Sequence, residues 1–526
     1  MKKFFLLTLA FFLTVGLAIA QQNNSNVNQN GDKNLGNNTQ IGKKNDAAID
    51  QDGDNNSSSN DQRGDENFQN TLQNGDWNNS NTNQDGDKNT ATTEQQGDGN
   101  ESLTNQDGDR NNSDVYQYGR HNRAYTDQDG DRNDSQTNQY GRENLAETDQ
   151  DGRDNFSSTF QDGYRNSSAV EQDGDHNTGF TDQYGRNNDS WLKQDGDRNF
   201  GGILQDGNHN RSNAEQRGDN NDIFVTQLGD NNDSKAKQDG DHNIGAVFQG
   251  GNRNYSDLKQ DGDRNEGYIT QEGFDNSSNA RQDGDKNLGV VYQGGAWNDS
   301  ELKQDGDEND IFVTQLGGNN TSFAKQDGDH NYGDVSQDGY YNDSELTQDG
   351  DRNNADVDQY GAGNDSRLEQ DGDKNAGVIL QIGLRNHSTA KQHGDNNSLN
   401  VTQIFDDNSS WAEQDGDKNT GDVYQFGFEN ASNLTQDGDH NTANIGQFGV
   451  DNSAWSSQEG DKNNLITTQD GADNTANTEQ DGDFNYSNTF QFGFDNYGNT
   501  YQEGDKHTSN INQVGVSNVS NVIQKD

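Results

Sequence analysis

The chain has 526 residues, a formal net charge of −55 at pH 7, 24% hydrophobic residues, and neither Pro nor Cys. The acidic excess argues against nucleic-acid binding, because phosphates are bound by Lys and Arg, and the lack of Cys excludes disulfides. Low hydrophobicity with high charge is typical of disordered chains, but an eleven-residue period runs through the sequence and indicates folded repeats.

The chain begins with a predicted signal peptide, residues 1–20. Two Lys precede an apolar run and a small-residue site ending at Ala20, so we expect cleavage between Ala20 and Gln21. A membrane anchor is the alternative, but the apolar run of about fifteen residues is shorter than the roughly 20 that a membrane-spanning helix needs. No other apolar run exists, so we expect no integral membrane segment in the mature protein.

A single frame occupies residues 29–526, after a short polar leader at residues 21–28. The frame is Gln-x-Gly-x-x-Asn followed by five variable residues, and it places 46 Gln in register from Gln29 to Gln524. The Gly is replaced once, by Phe405, and the Asn is replaced once, by His507. We therefore predict one array domain with two repeat-breaking positions and no capping repeat at either end.

The half-repeats are of two alternating kinds, so the full period is 22 residues. One kind has Gln-Asp-Gly-Asp at its turn, as at Gln106 and Gln128, and the other kind has a variable turn, as at Tyr118-Gly119-Arg120. This alternation predicts a structure with two distinguishable edges.

The variable residues indicate a strand. We number each half-repeat from its Gln as position 0. Position 5 is Asn, position 7 is small, position 9 is Thr or aliphatic and position 11 is the next Gln, whereas positions 6, 8 and 10 are mixed and polar. Period-2 alternation predicts a strand with one face inward, and positions 1 to 4 contain the Gly and predict a turn.

These features predict an all-β fold, a β-solenoid of about 22.5 stacked two-strand coils with 22 residues per coil and 11 per half. Each strand should have about six residues, and coils spaced by about 4.8 Å would form a cross-β, amyloid-like stack a little over 100 Å long. The core is too thin for hydrophobic burial alone, so its amides must be hydrogen-bonded. We expect stacked amide ladders, represented by Gln106, Gly108, Asn111, Gln117, Gly119, Asn122, Gln128, Gly130, Asn133, Gln139, Gly141 and Asn144.

Paired Asp residues should lie along one edge of the stack. Our first interpretation is that they are gatekeepers, charges that slow premature aggregation during export. The alternative is a Ca²⁺ ladder, since carboxylates are the ligands that Ca²⁺ prefers, although the Ca²⁺-binding nonapeptide is absent; otherwise we expect no metal and no cofactor. The residues concerned are Asp107, Asp109, Asp129, Asp131, Asp173, Asp175, Asp195 and Asp197.

Other motifs carry weaker signals. Arg63-Gly64-Asp65 and Arg217-Gly218-Asp219 spell an integrin-binding tripeptide, but the frame supplies this Gly, so chance is the better explanation. No nucleophile elbow, phosphate-binding loop or zinc spacing is present, so we expect no enzyme.

Aromatic residues gather on the less acidic edge. They are either a contact for a partner or neighbouring fibre, or a stacked ladder: Phe426, Phe428, Phe448, Phe492 and Phe494.

The frame resembles the motif of the curlin-repeat family, as in Gln117-Tyr-Gly-Arg-His-Asn-Arg-Ala124-Tyr-Thr-Asp-Gln128. The resemblance covers Gln29 to Gln524 and implies a long curli-type functional amyloid subunit in an extracellular fibre of the biofilm matrix. It also implies export through the periplasm, with a periplasmic chaperone, an outer-membrane secretion channel and a surface nucleator as partners. Familiar major subunits have about five repeats, which leaves open whether this chain is a major subunit or an accessory protein.

We therefore expect a homopolymer that grows by templated end-to-end β pairing and supports adhesion and cell aggregation. Low pH or salt should speed growth by neutralising or screening the acidic turns. The alternative is a monomeric secreted β-solenoid, either a surface stalk or an ice-binding protein. Ice binding needs an outward array of Thr, whereas the regular Thr at position 9 is predicted to face inward.

Overall fold

A computed structural model describes residues 22–525, so the predicted signal peptide, Ala20 and Gln21 lie outside the described residues. The chain divides into two compact units, whose described parts are residues 22–242 and 243–525. Every regular element of the described residues is a β-strand, which confirms the all-β prediction. No helix in this part of the chain could cross a membrane. The predicted division into leader and array stays a prediction.

The first unit contains 20 strands, two to a turn of the solenoid. These are β1 (Asn24–Asn30), β2 (Leu35–Ile41), β3 (Asp46–Asp52), β4 (Ser57–Arg63), β5 (Phe68–Asn74), β6 (Asn79–Asp85), β7 (Thr90–Asp98), β8 (Glu101–Asp107), β9 (Asn112–Arg120), β10 (Arg123–Asp131), β11 (Asp134–Arg142), β12 (Leu145–Arg153), β13 (Phe156–Tyr164), β14 (Ser167–Asp175), β15 (Thr178–Arg186), β16 (Asp189–Asp195), β17 (Phe200–Asn208), β18 (Arg211–Arg217), β19 (Asp222–Leu228) and β20 (Asp233–Asp239).

The second unit contains 26 strands in the same arrangement. These are β21 (Ile244–Asn252), β22 (Tyr255–Asp261), β23 (Glu266–Phe274), β24 (Ser277–Asp283), β25 (Leu288–Ala296), β26 (Asp299–Asp305), β27 (Asp310–Gly318), β28 (Thr321–Asp327), β29 (Tyr332–Tyr340), β30 (Asp343–Asp349), β31 (Asn354–Ala362), β32 (Asp365–Asp371), β33 (Ala376–Leu384), β34 (His387–His393), β35 (Ser398–Ile404), β36 (Ser409–Asp415), β37 (Thr420–Phe428), β38 (Ala431–Asp437), β39 (Thr442–Val450), β40 (Ser453–Glu459), β41 (Asn464–Ala472), β42 (Thr475–Asp481), β43 (Tyr486–Phe494), β44 (Tyr497–Glu503), β45 (Thr508–Val516) and β46 (Val519–Lys525).

Within each unit, odd-numbered strands pair with odd-numbered strands and even-numbered with even-numbered. All pairs are parallel and join residue i to residue i + 22, as Gln128 to Gln150 and Gln249 to Gln271. Each unit therefore consists of two parallel sheets facing one another, linked by short turns at both edges. This register confirms the predicted β-solenoid with 22 residues per coil. We call the turns that follow odd-numbered strands odd turns, and the others even turns.

The strands bury alternate residues, as predicted. In β16, Ser190, Leu192 and Gln194 are buried, whereas the residues between them face outward. The small residue at position 7 makes room for the aliphatic residue of the opposite sheet: a Cβ atom added to Gly201 would lie 2.6 Å from a Leu192 methyl group. Position 7 is not always small: in β19 it is Ile223, which is fully buried. The even strands on either side, β18 and β20, then carry the small residues Ala214 and Ala236 at position 9. A large side chain in one sheet is thus matched by small side chains in the opposite sheet.

The strands are seven or nine residues long, not about six. In the nine-residue strands, pairing continues through the Gly to position 3, as from Arg123 to Asp131 in β10. The turns are also bonded from coil to coil: the Arg110 N–H donates to the Asp87 carbonyl at 2.9 Å. The predicted turn, positions 1 to 4, was too long. Its backbone is also stacked in register and hydrogen-bonded from coil to coil, so part of it belongs to the strand.

Candidate functional site: the stacked ladders and their edges

The Gln at position 0 forms a continuous side-chain ladder inside each unit. Gln128 is fully buried; its Nε2 donates to Gln150 Oε1 at 2.8 Å and to the Asn112 carbonyl at 2.9 Å. Gln106 donates to Gln128 in the same way, at 2.8 Å, and Gln117 to Gln139. Both N–H groups of each amide are thereby satisfied, which a buried polar group requires. The structure places Gln106, Gln117, Gln128 and Gln139 in two such ladders, one in each sheet.

The Asn at position 5 bonds to the backbone, not mainly to another side-chain amide. The Asn133 backbone N–H donates to Asn111 Oδ1 at 2.9 Å, and Asn133 Nδ2 donates to the Gly152 carbonyl at 3.0 Å. Asn111, Asn122, Asn133 and Asn144 are all buried. Each Asn therefore ties the strand start of one coil to the Gly turn of the next, a role that the sequence did not reveal.

The Gly at position 2 is needed for its backbone and for close approach. Gly119 has a φ of +131°, and a Cβ atom there would lie 1.9 Å from the Gly141 carbonyl oxygen. Gly130 has a φ of +118°, with the Gly152 carbonyl oxygen at 2.0 Å from the same position. Gly108 and Gly141 are constrained equally. A side chain at any of these positions would push neighbouring coils apart.

Position 4 also lies in the left-handed region, although it is rarely Gly. Arg110, His121 and Arg132 have φ values of +64°, +56° and +61°. Left-handed backbone is unfavourable for residues with a side chain, but here the coil-to-coil backbone bonds hold it in place. This left-handed backbone was not predictable, because the residue type at position 4 varies freely.

The two Asp residues of each Gln-Asp-Gly-Asp turn have different environments. The Asp at position 3 accepts a backbone bond: the Asp109 N–H donates to Asp131 Oδ1 at 3.0 Å, and the Asp175 N–H to Asp197 Oδ1 at 2.9 Å. In the described residues the Asp at position 1 is exposed or half-buried and accepts no such bond from the turn below. The exposed position-1 residues are Asp107, Asp129, Asp173 and Asp195.

Like charges accumulate along the even turns. Burial, and then Asp129 and Asp173 in the neighbouring coils, raise the pKa of the Asp151 carboxyl. Burial, and then Asp129 and Asp107, raise the pKa of Asp127. These shifts mean that each coil added to the stack brings a carboxylate towards others. The described residues contain no group of three or more His, Cys, Asp or Glu side chains arranged to hold a metal ion.

Phe405 replaces the turn Gly without breaking the coil. Its N–H donates to the Ile382 carbonyl at 2.8 Å and its carbonyl accepts from Asn386 Nδ2 at 2.7 Å. Its φ is +78°, which is rare for a bulky residue. The ring, 42% exposed, packs against Phe426 and Phe428 with centroid distances of 4.9 and 5.5 Å. The frame at this repeat-breaking position is therefore preserved by its backbone.

His507 replaces the core Asn in a similar way. Its backbone N–H donates to Asn485 Oδ1 at 2.9 Å, as an Asn would, and its ring Nε2 donates to the Glu503 carbonyl at 3.1 Å. The imidazole N–H thus takes over one side-chain amide bond of the missing Asn.

The odd turns of the second unit present exposed apolar side chains. Phe405, Tyr424, Phe426, Phe428 and Phe448 contact one another along this edge. Phe492 and Phe494 are 49% and 57% exposed. A stacked aromatic ladder and an exposed apolar surface are thus present together on this edge.

The first and last described strands are the most open. All seven residues of β1 are exposed, and β46 is exposed or half-buried throughout. Among the described residues, β1 pairs only with β3, and β46 only with β44. In the first unit the Gln ladders begin at Gln29, which donates to Gln51 at 2.6 Å, and in the second unit they end at Gln524, which accepts from Gln502 at 2.7 Å. Each of these strands has one edge without a strand partner in this part of the chain.

Comparison with known proteins identifies the repeat. The family model described as curlin associated repeat matches six segments, all in the second unit: residues 251–284, 284–317, 306–339, 341–372, 394–427 and 416–449. No curated protein matches the chain significantly. The chain therefore carries curlin associated repeats, and the resemblance to the curlin-repeat family is confirmed.

Proposed function

We propose that this chain is a structural subunit that assembles by templated end-to-end β pairing into curli-like extracellular amyloid fibres. The proposal is supported by one observation above all. Within each unit every strand pair joins residue i to residue i + 22, so β1 and β2 of one copy can pair with β45 and β46 of the copy before it through the same type of surface as any internal pair. A second copy can therefore continue the backbone, Gln and Asn ladders without a new kind of contact.

The energetics of growth follow from the ladders. A terminal Gln gains a side-chain partner when another coil is added, and each paired strand gains a set of backbone bonds. Growth is opposed by repulsion between exposed position-1 Asp residues, which we propose act as gatekeepers during export. The repeat array and the absence of any catalytic arrangement in the sequence favour a structural role over an enzyme.

By family resemblance, we propose an extracellular location at the cell surface after export through the periplasm. A periplasmic chaperone, an outer-membrane secretion channel and a surface nucleator are the expected partners. The fibre would then support adhesion and cell aggregation in a biofilm matrix. The choice between major subunit and accessory protein depends on whether the chain alone forms fibres.

The even turns have a second candidate use, as a Ca²⁺ ladder. Oδ1 of Asp131 is engaged by the Asp109 N–H, which leaves the second oxygen and the position-1 carboxylates for a cation. Ca²⁺ would relieve the repulsion between coils. EDTA should then lower the melting temperature or alter fibre growth; if it changes neither, the ladder binds no structural Ca²⁺.

The alternative function is a monomeric secreted β-solenoid. Ice binding is disfavoured because the regular Thr, such as Thr126 and Thr137, is buried at position 9. A surface stalk has the same fold and differs only in remaining separate.

Electron microscopy of residues 21–526 tests the proposal. After about a day at micromolar concentration, negative staining should show unbranched fibres, with a meridional reflection near ~4.8 Å in fibre diffraction. Folded particles that never join under any growth condition would contradict the proposal and favour the stalk.

A further inference from the structure

Two stretches of odd turns have opposite chemistry. The first, which we call the Arg–Tyr edge, comprises the four turns after Gln117, Gln139, Gln161 and Gln183 in the first unit. The second, the Phe–acid edge, comprises the four turns after Gln425, Gln447, Gln469 and Gln491 in the second unit. Neither is used by the end-to-end contact of the proposed fibre.

The Arg–Tyr edge is locally basic on a strongly acidic protein. Arg120, Arg142, Arg165 and Arg186 outnumber Glu143 and Asp162 in its turns, which gives a formal charge of +2. Arg120, Arg142 and Arg165 have side chains 63%, 57% and 57% exposed. Arg165 pairs with Glu143 at 2.6 Å and Arg120 with Asp98 at 3.5 Å, but exposed pairs of this kind contribute little and exchange readily.

The Phe–acid edge has the complementary composition. Its turns contain five acids and no base, a formal charge of −5, and its acidic side chains lie beside exposed apolar ones. Glu429 follows Phe428, Asp451 follows Val450 and Asp495 follows Phe494, and all three acids are exposed. Both edges repeat once per coil, so their rows have the same spacing of about 4.8 Å.

The chain itself contains an example of the contact that would join them. At an odd turn of the second unit, Arg253 Cζ lies 4.0 Å from the centroid of the Phe274 ring. The same guanidinium donates from Nη2 to Asp275 Oδ2 at 2.7 Å. Phe274-Asp275 has the same positions in its turn as Phe428-Glu429 and Phe494-Asp495. One Arg therefore satisfies a Phe-acid pair by stacking and by a charge-assisted bond together.

We propose that the Arg–Tyr edge of one copy binds the Phe–acid edge of a second copy, side by side. Charge complementarity favours a second copy, because each copy carries both a basic and an acidic edge and a chain of charge −55 has few other places where another copy can approach. A four-turn contact is small compared with stable interfaces, so we expect weak pairing of single chains. Where copies lie in line, repeated contacts add up and align fibres laterally.

Charge reversal with heterotypic rescue tests the inference. Variant A carries Arg120→Glu, Arg142→Glu and Arg186→Glu, and variant B carries Glu429→Lys, Asp451→Lys and Asp495→Lys. Sedimentation velocity on fresh protein in low salt measures pairing, and negative-stain width measures lateral alignment of fibres. We expect each variant alone to lose pairing at least fivefold, and the 1:1 mixture to recover it, because each native edge then finds its native partner.

A matched control and a salt series complete the test. Variant C reverses Arg110, Arg132 and Arg198, which occupy position 4 of even turns, and it should pair as the native chain does. Pairing should weaken as the NaCl concentration rises from about 0.02 to 0.5 M, because the screening length becomes shorter. Failure of the mixture to recover, or equal loss in variant C, would overturn the inference.

The same samples separate this inference from the proposed function. Fibre length and growth rate report on the ends, and fibre width and early pairing report on the edges. Native fibres that grow normally but never align would overturn only the lateral contact. Early pairs without any fibre would support the lateral contact and contradict end-to-end growth. Circular dichroism of each variant confirms that the fold is intact.

Discussion

The backbone N–H of Asp109 donates to the Oδ1 atom of Asp131, one coil away, at 3.0 Å. The second Asp of most Gln-Asp-Gly-Asp turns is thus part of the scaffold, whereas among the described residues the first Asp is exposed or half-buried and accepts no bond of this kind. Two residues that look equivalent in sequence therefore have separable roles.

Substitutions at the two positions should have different effects. Asp131→Ala removes the acceptor of the Asp109 N–H and should destabilise the monomer by about 1 kcal/mol, whereas Asp131→Asn keeps an acceptor and should be nearly neutral. Asn at the position-1 residues Asp129, Asp151 and Asp173 should not lower stability, because it removes repulsion between carboxylates, and it should shorten the lag of fibre growth. Guanidinium unfolding and thioflavin kinetics measure these effects. An unchanged lag in the triple variant would contradict the gatekeeper role.

The Gln ladder should be sensitive at every internal position. Gln293→Leu removes the acceptor of Gln271, the donor to Gln315 and the donor to the Ser277 carbonyl. Each buried group left without a partner costs about 1–3 kcal/mol, so the unfolding midpoint should fall clearly. Gln136→Leu, at an outward position 8, is the control. Equal effects of the two substitutions would show that the ladder adds nothing specific.

One turn contains both kinds of left-handed position. A Cβ atom at Gly361 would lie 1.9 Å from the Gly383 carbonyl oxygen, whereas one at Gly363 meets only Arg385 Cγ, at 3.6 Å. Gly361→Ala should therefore disrupt the neighbouring coils, while Gly363→Asn, with a φ of +68°, should be neutral or stabilising because Asn tolerates this region. The melting temperatures of the two variants measure this difference. Similar losses at both positions would contradict the close-approach argument.

The unfolding of the second unit should respond to pH through Asp358. Burial, and then Asp356 and Asp334, raise the pKa of Asp358 to about 6 from an ordinary 3.8. The folded chain therefore binds this proton before the unfolded chain does, so this residue makes the fold more stable as pH falls from 7 towards 4. Asp358→Asn should raise the melting temperature at pH 7 and have little effect at pH 4. The opposite ordering of the two pH values would show that the carboxylate is stabilised in the fold.

Buried Ser hydroxyls offer a stabilising change. Ser300 Oγ is buried with no hydrogen-bond partner, whereas Ser256 Oγ accepts from Gln249 Nε2 at 3.2 Å. Ser300→Ala should raise the free energy of unfolding by up to about 1 kcal/mol, since an unpaired hydroxyl no longer has to be buried. Ser256→Ala, which removes a bond, should lower it. Denaturant titration of both variants compares them directly, and a loss at Ser300 would point to a bond from its hydroxyl.

The period made most of the fold predictable. Inward residues such as Leu192 and Gln194 followed from simple alternation, and the ladder from Gln106 to Gln128 followed from the need to satisfy buried amides. The bond from Asn133 to Gly152 and the left-handed backbone at Arg110 did not, because they depend on how the turns stack and leave no constant residue as a sign. The match of the large Ile223 with the small Ala214 and Ala236 could have been predicted by comparing positions 7 and 9 of neighbouring half-repeats.

The register of i to i + 22 has a consequence for how such a chain can change. Removing the 22 residues from Leu288 to Asn309 would bring Asn287 next to Asp310, and the frame Gln, Asn and Gly on either side of the deletion would still meet a residue of their own kind. Unequal exchange between the coding repeats would thus lengthen or shorten the protein by whole coils without disturbing its interior. The number of repeats is therefore free to vary between generations, and selection can act on length separately from folding.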